Sequence, residues 1–390
     1  MAEIQLIEAP APHQQPPDYT RLNDLACSKV GGCIVFASDD WFAEAENLLK
    51  PNIPEWKEGV FTEYGKWMDG WETRRKRIPG HDWAIIQLGV SGVIFGVDVD
   101  TSFFTGNYTP RISIQAANLK KKFPSRNGKP GKAATEAEYK KIAALNSENW
   151  ETIVPISELK PGYKTSFHNF FRVKRQQLWT HLRLNMFPDG GIARLRVYGQ
   201  AKRDWSLVDK DTVVDLVAMV NGGVCLGSSN AHFGHPRNLV APGTGENMGD
   251  GWETARRLDR PAVLTADKSG VLQVPGCEWA VFRLGCPGVV KEITLDTRHF
   301  KGNFPDSCRI EACNIPLSGE QQALSVMSGP PWKTLLLPQK MTPNREHHYK
   351  DEVQTIGTIS HIRLFVAPDG GVSRMRIWGL KEDVALASKL

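Results

Sequence analysis

The chain has 390 residues, of which 41% are hydrophobic and 23% are charged, and its 48 basic and 43 acidic side chains give a net charge of +5. This composition is that of a soluble globular protein, and no apolar run approaches the roughly 18 residues that a membrane-spanning helix needs. The excess positive charge is small and spread along the chain, with one cluster at Lys120–Lys122. We therefore expect a solvated loop there and no nucleic-acid partner.

The seven cysteines are odd in number and irregularly spaced, and no two of them form a Cys-x-x-Cys pair. This layout fits neither a disulfide framework nor a cysteine zinc site, which favours a reducing compartment. His232 and His235 have the spacing of a helical metal pair, but the intervening Phe233-Gly234 and the following Pro236 argue against a helix. We therefore expect neither a metal site nor a cofactor, and a metal requirement stays open.

The first elements in chain order are an extended arm and two short helices. Prolines are frequent between residues 10 and 17, without an apolar signal region, which predicts the arm. Helical periods over Leu22–Val30, ended by Gly31-Gly32, and over Trp41–Lys50 predict the helices. The second half shows the same start, with a helix predicted over Val213–Val220.

The remaining chain has the period of β-strands. Leu182–Met186 and Leu195–Val197 alternate apolar and polar residues on either side of Pro188–Gly191, and the second half repeats this around Pro368–Gly371, so we predict a β-hairpin in each half. Further strands are predicted at Trp83–Leu88, Val93–Val99, Arg111–Ala116, Ala280–Leu284, Val289–Leu295 and Leu335–Leu337. Asn118–Trp150 has no counterpart of equal length and is predicted to be a surface insertion.

An internal duplication organises these elements. Asp69–Thr73 recurs without change as Asp250–Thr254, and further short matches follow in the same order. They pair Gly31-Gly32 with Gly222-Gly223, Trp83-Ala84 with Trp279-Ala280, Asp100-Thr101 with Asp296-Thr297, Gly106-Asn107 with Gly302-Asn303, and Pro188–Gly191 with Pro368–Gly371. We therefore predict an all-β chain of two tandem jelly-roll β-sandwich domains, over residues 1–200 and 201–390.

Polar residues repeated in both halves are the candidates for a functional site. They are Asp69 and Asp250, Glu72 and Glu253, Arg75 and Arg257, Asp100 and Asp296, Asn107 and Asn303, and Arg194 and Arg374, with His168 aligned to His347 or His348 through a gap. Two copies of one fold would also keep turn and strand-pairing residues for stability alone, and we favour a turn role for Asp189 and Asp369. The Trp-Glu-Thr segment is harder to explain as a turn, so Trp252 and Glu253 are candidates for facing a ligand.

These motifs resemble the allantoicase (allantoate amidinohydrolase) family from about Asn23 to Gly379. The resemblance implies two galactose-binding-like domains and a homo-oligomeric hydrolase. The implied reaction, in purine degradation, converts allantoate and water to ureidoglycolate and urea. The alternatives are a non-catalytic galactose-binding-like module and an inactive paralogue.

The chemistry of allantoate assigns roles to the candidates. Its carboxylate calls for an arginine and its two ureido arms for carboxylates and amides, and loss of intact urea calls for an acid and a base. We expect Arg257 or Arg374 to hold the carboxylate, Glu253 to act as acid or base, and Asn303 and His348 to orient the arms. The first-half catalytic candidates are Glu72 and His168. The other substrate-binding candidates are Asp250, Trp252, Asp296, Asp69, Arg75, Asp100, Asn107 and Arg194.

The last three residues, Ser388-Lys389-Leu390, form the tripeptide that peroxisomal import reads at a free C-terminus. They predict binding to the peroxisomal import receptor and a peroxisomal location. A cytoplasmic location is the alternative.

Overall fold

The computed structural model describes residues 16–317, 320 and 332–382. The tripeptide Ser388–Leu390 and most of the predicted N-terminal arm lie outside these residues. Contacts divide the chain into two compact units, Met1–Lys202 and Arg203–Leu390, which we call unit 1 and unit 2. No helix in the described ranges is both long enough and apolar enough to cross a membrane.

Unit 1 is built mainly from antiparallel strands. They are β1 (Asn23–Asp24), β2 (Cys33–Ala37), β3 (Phe61–Thr62), β4 (Gly65–Lys66), β5 (Trp71–Glu72), β6 (Asp82–Asp100), β7 (Arg111–Ala117), β8 (Glu151–Glu158), β9 (His168–Arg172), β10 (Leu178–Phe187), β11 (Gly191–Ile192) and β12 (Arg194–Ala201). The helices described are α1 (Glu136–Ala143) and 3-10 helices at Asp18–Arg21, Ser28–Val30, Ala45–Leu49 and Ser147–Asn149.

The long strand β6 organises unit 1. Its first half pairs with β10 and β2, and its second half pairs mainly with β12 and β9. The strand order is β1-β12-β6-β10-β7-β8. Because β6 changes partners along its 19 residues, it takes part in both layers of the sandwich. The core between the layers contains Ile86, Val97 and Leu184, all fully buried.

Unit 2 repeats this plan. Its strands are β13 (Val213–Asp215), β14 (Val224–Ser228), β15 (Trp252–Glu253), β16 (Thr265–Ala266), β17 (Leu272–Gln273), β18 (Glu278–Asp296), β19 (Ser307–Cys313), β20 (Lys333–Lys340), β21 (Glu346–Tyr349), β22 (Ile359–Ala367), β23 (Gly371–Val372) and β24 (Arg374–Lys381). Its described 3-10 helices span Trp205–Leu207, Met219–Asn221, Pro236–Val240 and Met248–Asp250. The order β13-β24-β18-β22-β19-β20 matches unit 1, with β18 in the place of β6. The predicted all-β fold of two tandem jelly-roll sandwiches is confirmed.

The predicted hairpins are wrong in their pairing. The strands before and after each Pro-Asp-Gly-Gly turn exist, but β10 and β12 both pair with β6 and not with each other. The same holds for β22 and β24 on either side of β18. Local alternation located the strands correctly, but it carried no information about the long strand that lies between them.

The helices predicted near the start of each half are also wrong. Val213–Val220 contains β13 and the beginning of a 3-10 helix, and Trp41–Lys50 contains only the 3-10 helix Ala45–Leu49. Leu216 and Val217 are adjacent and both fully buried. The apolar residues therefore do not mark one face of a helix.

The glycine pairs were interpreted correctly as end signals. Gly31 and Gly222 follow 3-10 helices directly, and their φ angles of 94° and 101° lie in the left-handed region. This conformation favours glycine, because a side chain there meets the following carbonyl group.

The predicted insertion at Asn118–Trp150 carries α1 and is anchored to unit 1. Ile142 of α1 is buried with Phe36 and Ile85. The Arg126 guanidinium lies 2.7 Å from the carboxylate of Asp40. The insertion therefore covers part of the sheet, although most of its charged side chains are exposed.

Candidate active site

Three of the repeated motifs meet in each unit. In unit 1, β5 of the Asp-Gly-Trp-Glu-Thr motif pairs with β11, which follows the Pro-Asp-Gly-Gly turn. The Gly191 N–H also donates to the carbonyl of Asn107, at 2.8 Å. In unit 2, β15 pairs with β23, and the Gly371 N–H donates to the carbonyl of Asn303, at 2.7 Å. Backbone hydrogen bonds thus assemble motifs that lie far apart in the chain.

This assembly requires glycine at its centre. A Cβ atom at Gly191 would overlap the ring of Phe104, and one at Gly371 would overlap the ring of Phe300. Both phenylalanines are fully buried, so neither ring has space to move away. The glycines of the turn therefore allow close packing beneath the site.

The tryptophan of the repeated motif has a structural role. Trp71 and Trp252 are fully buried, and each indole N–H donates to a backbone carbonyl, of Asp39 and Asn230 respectively, at 2.8 Å. The prediction that Trp252 faces a ligand is therefore wrong. Because side chains alternate along a strand, the neighbouring glutamates point the other way, towards the opening.

Each of these glutamates is held by an asparagine. The side-chain amide of Asn107 donates to Glu72 at 2.6 Å, and that of Asn303 donates to Glu253 at 2.5 Å. One carboxylate oxygen is thereby fixed. The other is left for a proton or a ligand. The structure thus brings together two of the residue pairs that the sequence singled out.

The Glu72 cavity has a volume of about 380 Å³ and mainly apolar walls. These are formed by Phe42, Trp56, Met68 and Phe103. Burial raises the pKa of the Glu72 carboxyl to about 7, although the hydrogen bond from Asn107 opposes the shift. Glu72 is therefore close to half-protonated at neutral pH, as a general acid or base should be.

Sequence reasoning missed these walls, two of which, Trp56 and Met68, depend on an insertion. In unit 1 the backbone N–H of Glu55 donates to the motif aspartate Asp69, which lies 14 positions later in the chain. In unit 2 the backbone N–H of Glu246 donates to Asp250, which lies 4 positions later. The extra residues of unit 1 form the hairpin β3–β4 beside Trp56. The difference in length between the repeats at this point is visible in the sequence and could have indicated that unit 1 has additional pocket walls.

A groove of about 840 Å³ adjoins Glu72 and Asn107 on their other side, and Arg75 lines it. Arg75 is exposed, and among the described residues its guanidinium has no hydrogen-bond or ion-pair partner. A free arginine beside a carboxyl group that is partly neutral can bind the carboxylate of a small molecule.

The predicted equivalence of Arg75 and Arg257 is wrong by one position. The backbone N–H groups of Lys76 and Arg257 donate to the two turn aspartates, Asp189 and Asp369, at 2.8 and 2.9 Å. Lys76 is thus the counterpart of Arg257, and Arg75 is the counterpart of Arg256. The turn role favoured for both aspartates agrees with these bonds.

Arg257 is also unavailable for a substrate carboxylate. Its guanidinium contacts Glu278 at 2.9 Å and Asp259 at 2.6 Å. Arg256 is exposed instead, and it lines a cavity of about 400 Å³ together with Glu253 and Asn303. No hydrogen bond or ion pair holds its guanidinium within the described part of the chain.

Arg194 and Arg374 stabilise the fold and do not face the glutamates. Arg194 is fully buried and lies 2.6 Å from the carboxylate of Asp69, and Arg374 lies 2.8 Å from that of Asp250. Each arginine also donates to backbone carbonyls of the same loop. These two ion pairs fasten the repeated motif to the last strand of each unit. The predicted substrate roles of all four residues are not supported by these positions.

Asp100 and Asp296 also have a local structural role. Their carboxylates accept hydrogen bonds from the backbone N–H groups two residues later, of Ser102 and Arg298, both at 2.7 Å. Both aspartates are buried. They shape the loop that presents Asn107 or Asn303, and their predicted contact with substrate is not supported.

The two histidine candidates are not equivalent, and neither joins a glutamate site. His168 lies opposite Asp100, whereas the residue opposite Asp296 is Glu346. The Nδ1 atom of His168 lies 2.7 Å from the Asp98 carboxylate. The structural counterpart of His168 is therefore Glu346, and the predicted alignment, which needed a gap, paired His168 with His347 or His348, one or two positions later in the chain.

His348 lies in a different cavity from Glu253. It is one of the residues that line a cavity of about 440 Å³, and it contacts Glu292 and Glu346 at 3.4 and 3.5 Å. Arg374 and Asp296 line the same cavity. The hypothesis that Glu253 and His348 act on one substrate is therefore not supported by their positions.

The described residues include no group of three or more His, Cys, Asp or Glu side chains placed to hold a metal ion. Each glutamate site includes the carboxylate of Glu72 or Glu253, the amide of Asn107 or Asn303 and the exposed guanidinium of Arg75 or Arg256. This set can bind a carboxylate and an amide-like group and can transfer a proton.

Comparison with known proteins identifies the family. A family model described as the allantoicase repeat matches residues 23–202 and 214–382. The probable allantoicase of Pseudomonas savastanoi pv. phaseolicola is 43% identical over 361 residues, which cover 93% of this chain and 97% of the relative. That of Pseudomonas aeruginosa is 43% identical over 356 residues, with coverages of 91% and 95%.

A solved structure agrees with this assignment. The crystal structure of allantoicase from Saccharomyces cerevisiae matches with a TM-score of 0.68 and 34% identity, over 91% of this chain and 92% of that one. The resemblance inferred from the repeated motifs is thereby confirmed in both halves. The chain belongs to the allantoicase family.

Proposed function

We propose that the chain hydrolyses allantoate to ureidoglycolate and urea in purine degradation, and that the Glu72 site of unit 1 carries out the reaction. The observation that supports this location is the half-buried Glu72 carboxyl, which lies against mainly apolar walls and accepts a hydrogen bond from Asn107, and whose pKa desolvation raises to about 7. The family membership of the whole chain supports the substrate.

The site offers a partner for each part of allantoate. Arg75 pairs with the carboxylate through charge-assisted hydrogen bonds. Glu72 faces the ureido nitrogen that leaves, and the groove beside Asn107 accommodates the second ureido arm. This placement corrects the expected one, in which Arg257 or Arg374 held the carboxylate.

Glu72 acts first as an acid and then as a base. Its O–H gives a proton to the ureido nitrogen while the bond from that nitrogen to the central carbon breaks, and the bonding electrons leave with urea. The remaining ureido nitrogen forms a double bond to the central carbon. Water then adds to this carbon and gives its proton to the Glu72 carboxylate, which restores the acid.

The pH dependence of kcat/KM tests this order. Because the free enzyme must carry the proton on Glu72, we expect kcat/KM to fall about tenfold per pH unit above about pH 7, the pKa of this group. Urea release from allantoate at low substrate concentration, measured between pH 5 and 9, gives the profile. A decline below pH 7 in place of this alkaline decline would show that Glu72 acts first as a base.

Chelation tests whether side chains suffice for this chemistry. We propose catalysis without a metal cofactor, so urea release should survive exhaustive treatment of the purified protein with a chelator. Loss of activity that added divalent ions restore would contradict this and would direct attention to histidine and carboxylate ligands.

We also propose a peroxisomal location, on the basis of Ser388-Lys389-Leu390 and the import receptor that reads this tripeptide. A fluorescent protein fused to the N-terminus should enter peroxisomes, and removal of the three residues should leave it in the cytoplasm. The same cytoplasmic distribution with and without the tripeptide would refute the proposal. Assembly as a homo-oligomer rests on the family resemblance, and sedimentation of the purified chain tests it.

A further inference from the structure

We propose that unit 2 carries a second binding site for carboxylates that bear ureido groups, and that this site binds its ligand without hydrolysing it. The proposed site comprises Glu253, Asn303 and Arg256. The identity of the ligand rests on the function proposed for unit 1, but the existence of the site rests on the geometry of unit 2.

Unit 2 retains the binding groups of unit 1. Asn303 holds Glu253 as Asn107 holds Glu72, with hydrogen bonds of 2.5 and 2.6 Å. Arg256 occupies the position of Arg75. In a diverged repeat, this arginine could have been lost or paired with a neighbour, yet among the residues described it has no partner. A cation, an amide and a carboxylate therefore still line one cavity.

The walls around the two glutamates differ. Unit 2 has only the short connection from Glu246 to Asp250, so it lacks the hairpin that places Trp56 and Met68 beside Glu72. The position of Phe103 is taken by His299, as their φ angles of 70° and 72° indicate. His299 is hydrogen-bonded to the carbonyl of Gly245 at 2.8 Å.

A different insertion frames the unit 2 cavity. The segment between Arg257 and Glu278 is longer than the one between Lys76 and Asp82, and it contains the hairpin β16–β17. Leu272 of this hairpin lines the cavity. Arg260, from the same segment, binds the Asp369 carboxylate with contacts of 3.3 and 2.5 Å.

Because the walls of the two pockets differ, we assign binding to both units and catalysis to unit 1 alone. Charged groups line the groove beside the glutamate in both units, among them Arg75 and Asp189 in unit 1 and Arg256 and Asp306 in unit 2. Glu72 borders a second cavity with mainly apolar walls, and among the described residues of unit 2 the wall residues Trp56 and Met68 have no counterpart beside Glu253. The apolar walls on which the catalytic role of Glu72 depends are therefore not reproduced around Glu253 in the described part of unit 2. Glu253 and Asn303 remain suited to accept from and donate to a ureido group, and Arg256 remains suited to hold a carboxylate.

Equilibrium binding tests the second site. The full-length Glu72→Gln variant is titrated with allantoate in a calorimeter, because a variant without turnover leaves the ligand intact. We expect two molecules of allantoate per chain. Adding Arg256→Ala should weaken one site by about 10- to 100-fold, and adding Arg75→Ala should weaken the other by a similar factor. Lys291→Ala, which removes an exposed cation of β18, is the control and should change neither site.

The outcomes separate this inference from the proposed function. A single site that Arg75→Ala removes and Arg256→Ala leaves intact would overturn the second site, as would the absence of any binding. If Glu72→Gln itself prevents binding in unit 1, the one remaining site must be lost with Arg256→Ala. The proposed function fails on a different result, namely that the unaltered chain releases no urea from allantoate.

Discussion

Replacement of Glu72 by glutamine is expected to lower kcat for urea release from allantoate by about 10²- to 10⁴-fold, the usual contribution of a general acid or base. Glutamine has nearly the same shape and can keep a hydrogen bond to Asn107, but it can neither deliver nor accept the proton. The circular dichroism spectrum and the thermal transition should stay unchanged, because Glu72 forms no ion pair with any residue that the structure describes. Initial rates of urea release at pH 7 measure the effect.

The matched control is Glu253→Gln, at the same position of unit 2. This variant should keep its turnover within about twofold, since we assign Glu253 to binding alone. Full activity of Glu72→Gln together with inactive Glu253→Gln would reverse the assignment of the two units. Loss of activity in both variants would indicate that the two sites act together.

Replacement of Arg194 by methionine is expected to reduce the free energy of unfolding of unit 1 by about 3–5 kcal/mol. Methionine fills much of the space, but it removes the guanidinium 2.6 Å from the buried Asp69 carboxylate and leaves the more exposed Lys50, 3.3 Å away, as the remaining cation. The backbone carbonyls of Asp69 and Ala193 also lose donors. Hydrogen exchange of the β12 amides under native conditions measures this free energy within unit 1.

An exposed ion pair provides the comparison. The Arg111 guanidinium lies 2.8 Å from the Glu158 carboxylate, and the two side chains are 48% and 47% exposed. Because water screens such a pair, Arg111→Met should lower the free energy of unfolding by only about 0–1 kcal/mol. Arg374→Met should resemble Arg194→Met in unit 2, because Arg374 is nearly as buried. Equal, small effects at Arg111 and Arg194 would contradict the structural role of the buried pair.

Much of the fold could be predicted because the chain contains it twice. Two copies of each motif in one order indicated which segments belong to a common scaffold, and period-two alternation located the strands. The strand partners could not be predicted in the same way. Alternation shows which side chains of a strand are buried, but β10 and β12 have this pattern whether they pair with each other or with β6.

The candidate site was predicted in part for a related reason. Repetition selected Glu72 and Asn107, which we place in the proposed site, but it also selected Asp69 and Arg194, since a buried ion pair is retained as readily as a binding group. Arg256 was missed because Ala255 lengthens the spacing before the arginine pair. The correspondence between Arg75 and Arg256 becomes clear only from the hydrogen bonds that the next residues, Lys76 and Arg257, donate to the turn aspartates.

The hairpin β3–β4 has a further consequence. The scaffold that holds each glutamate consists of backbone pairing and a buried ion pair, and both units possess it. Two of the side chains that set the environment of Glu72, Trp56 and Met68, come from a loop that only unit 1 possesses. Scaffold and environment can therefore change independently. An insertion in one repeat can alter the acidity and selectivity of its own pocket and leave both the supporting strands and the pocket of the other repeat unchanged.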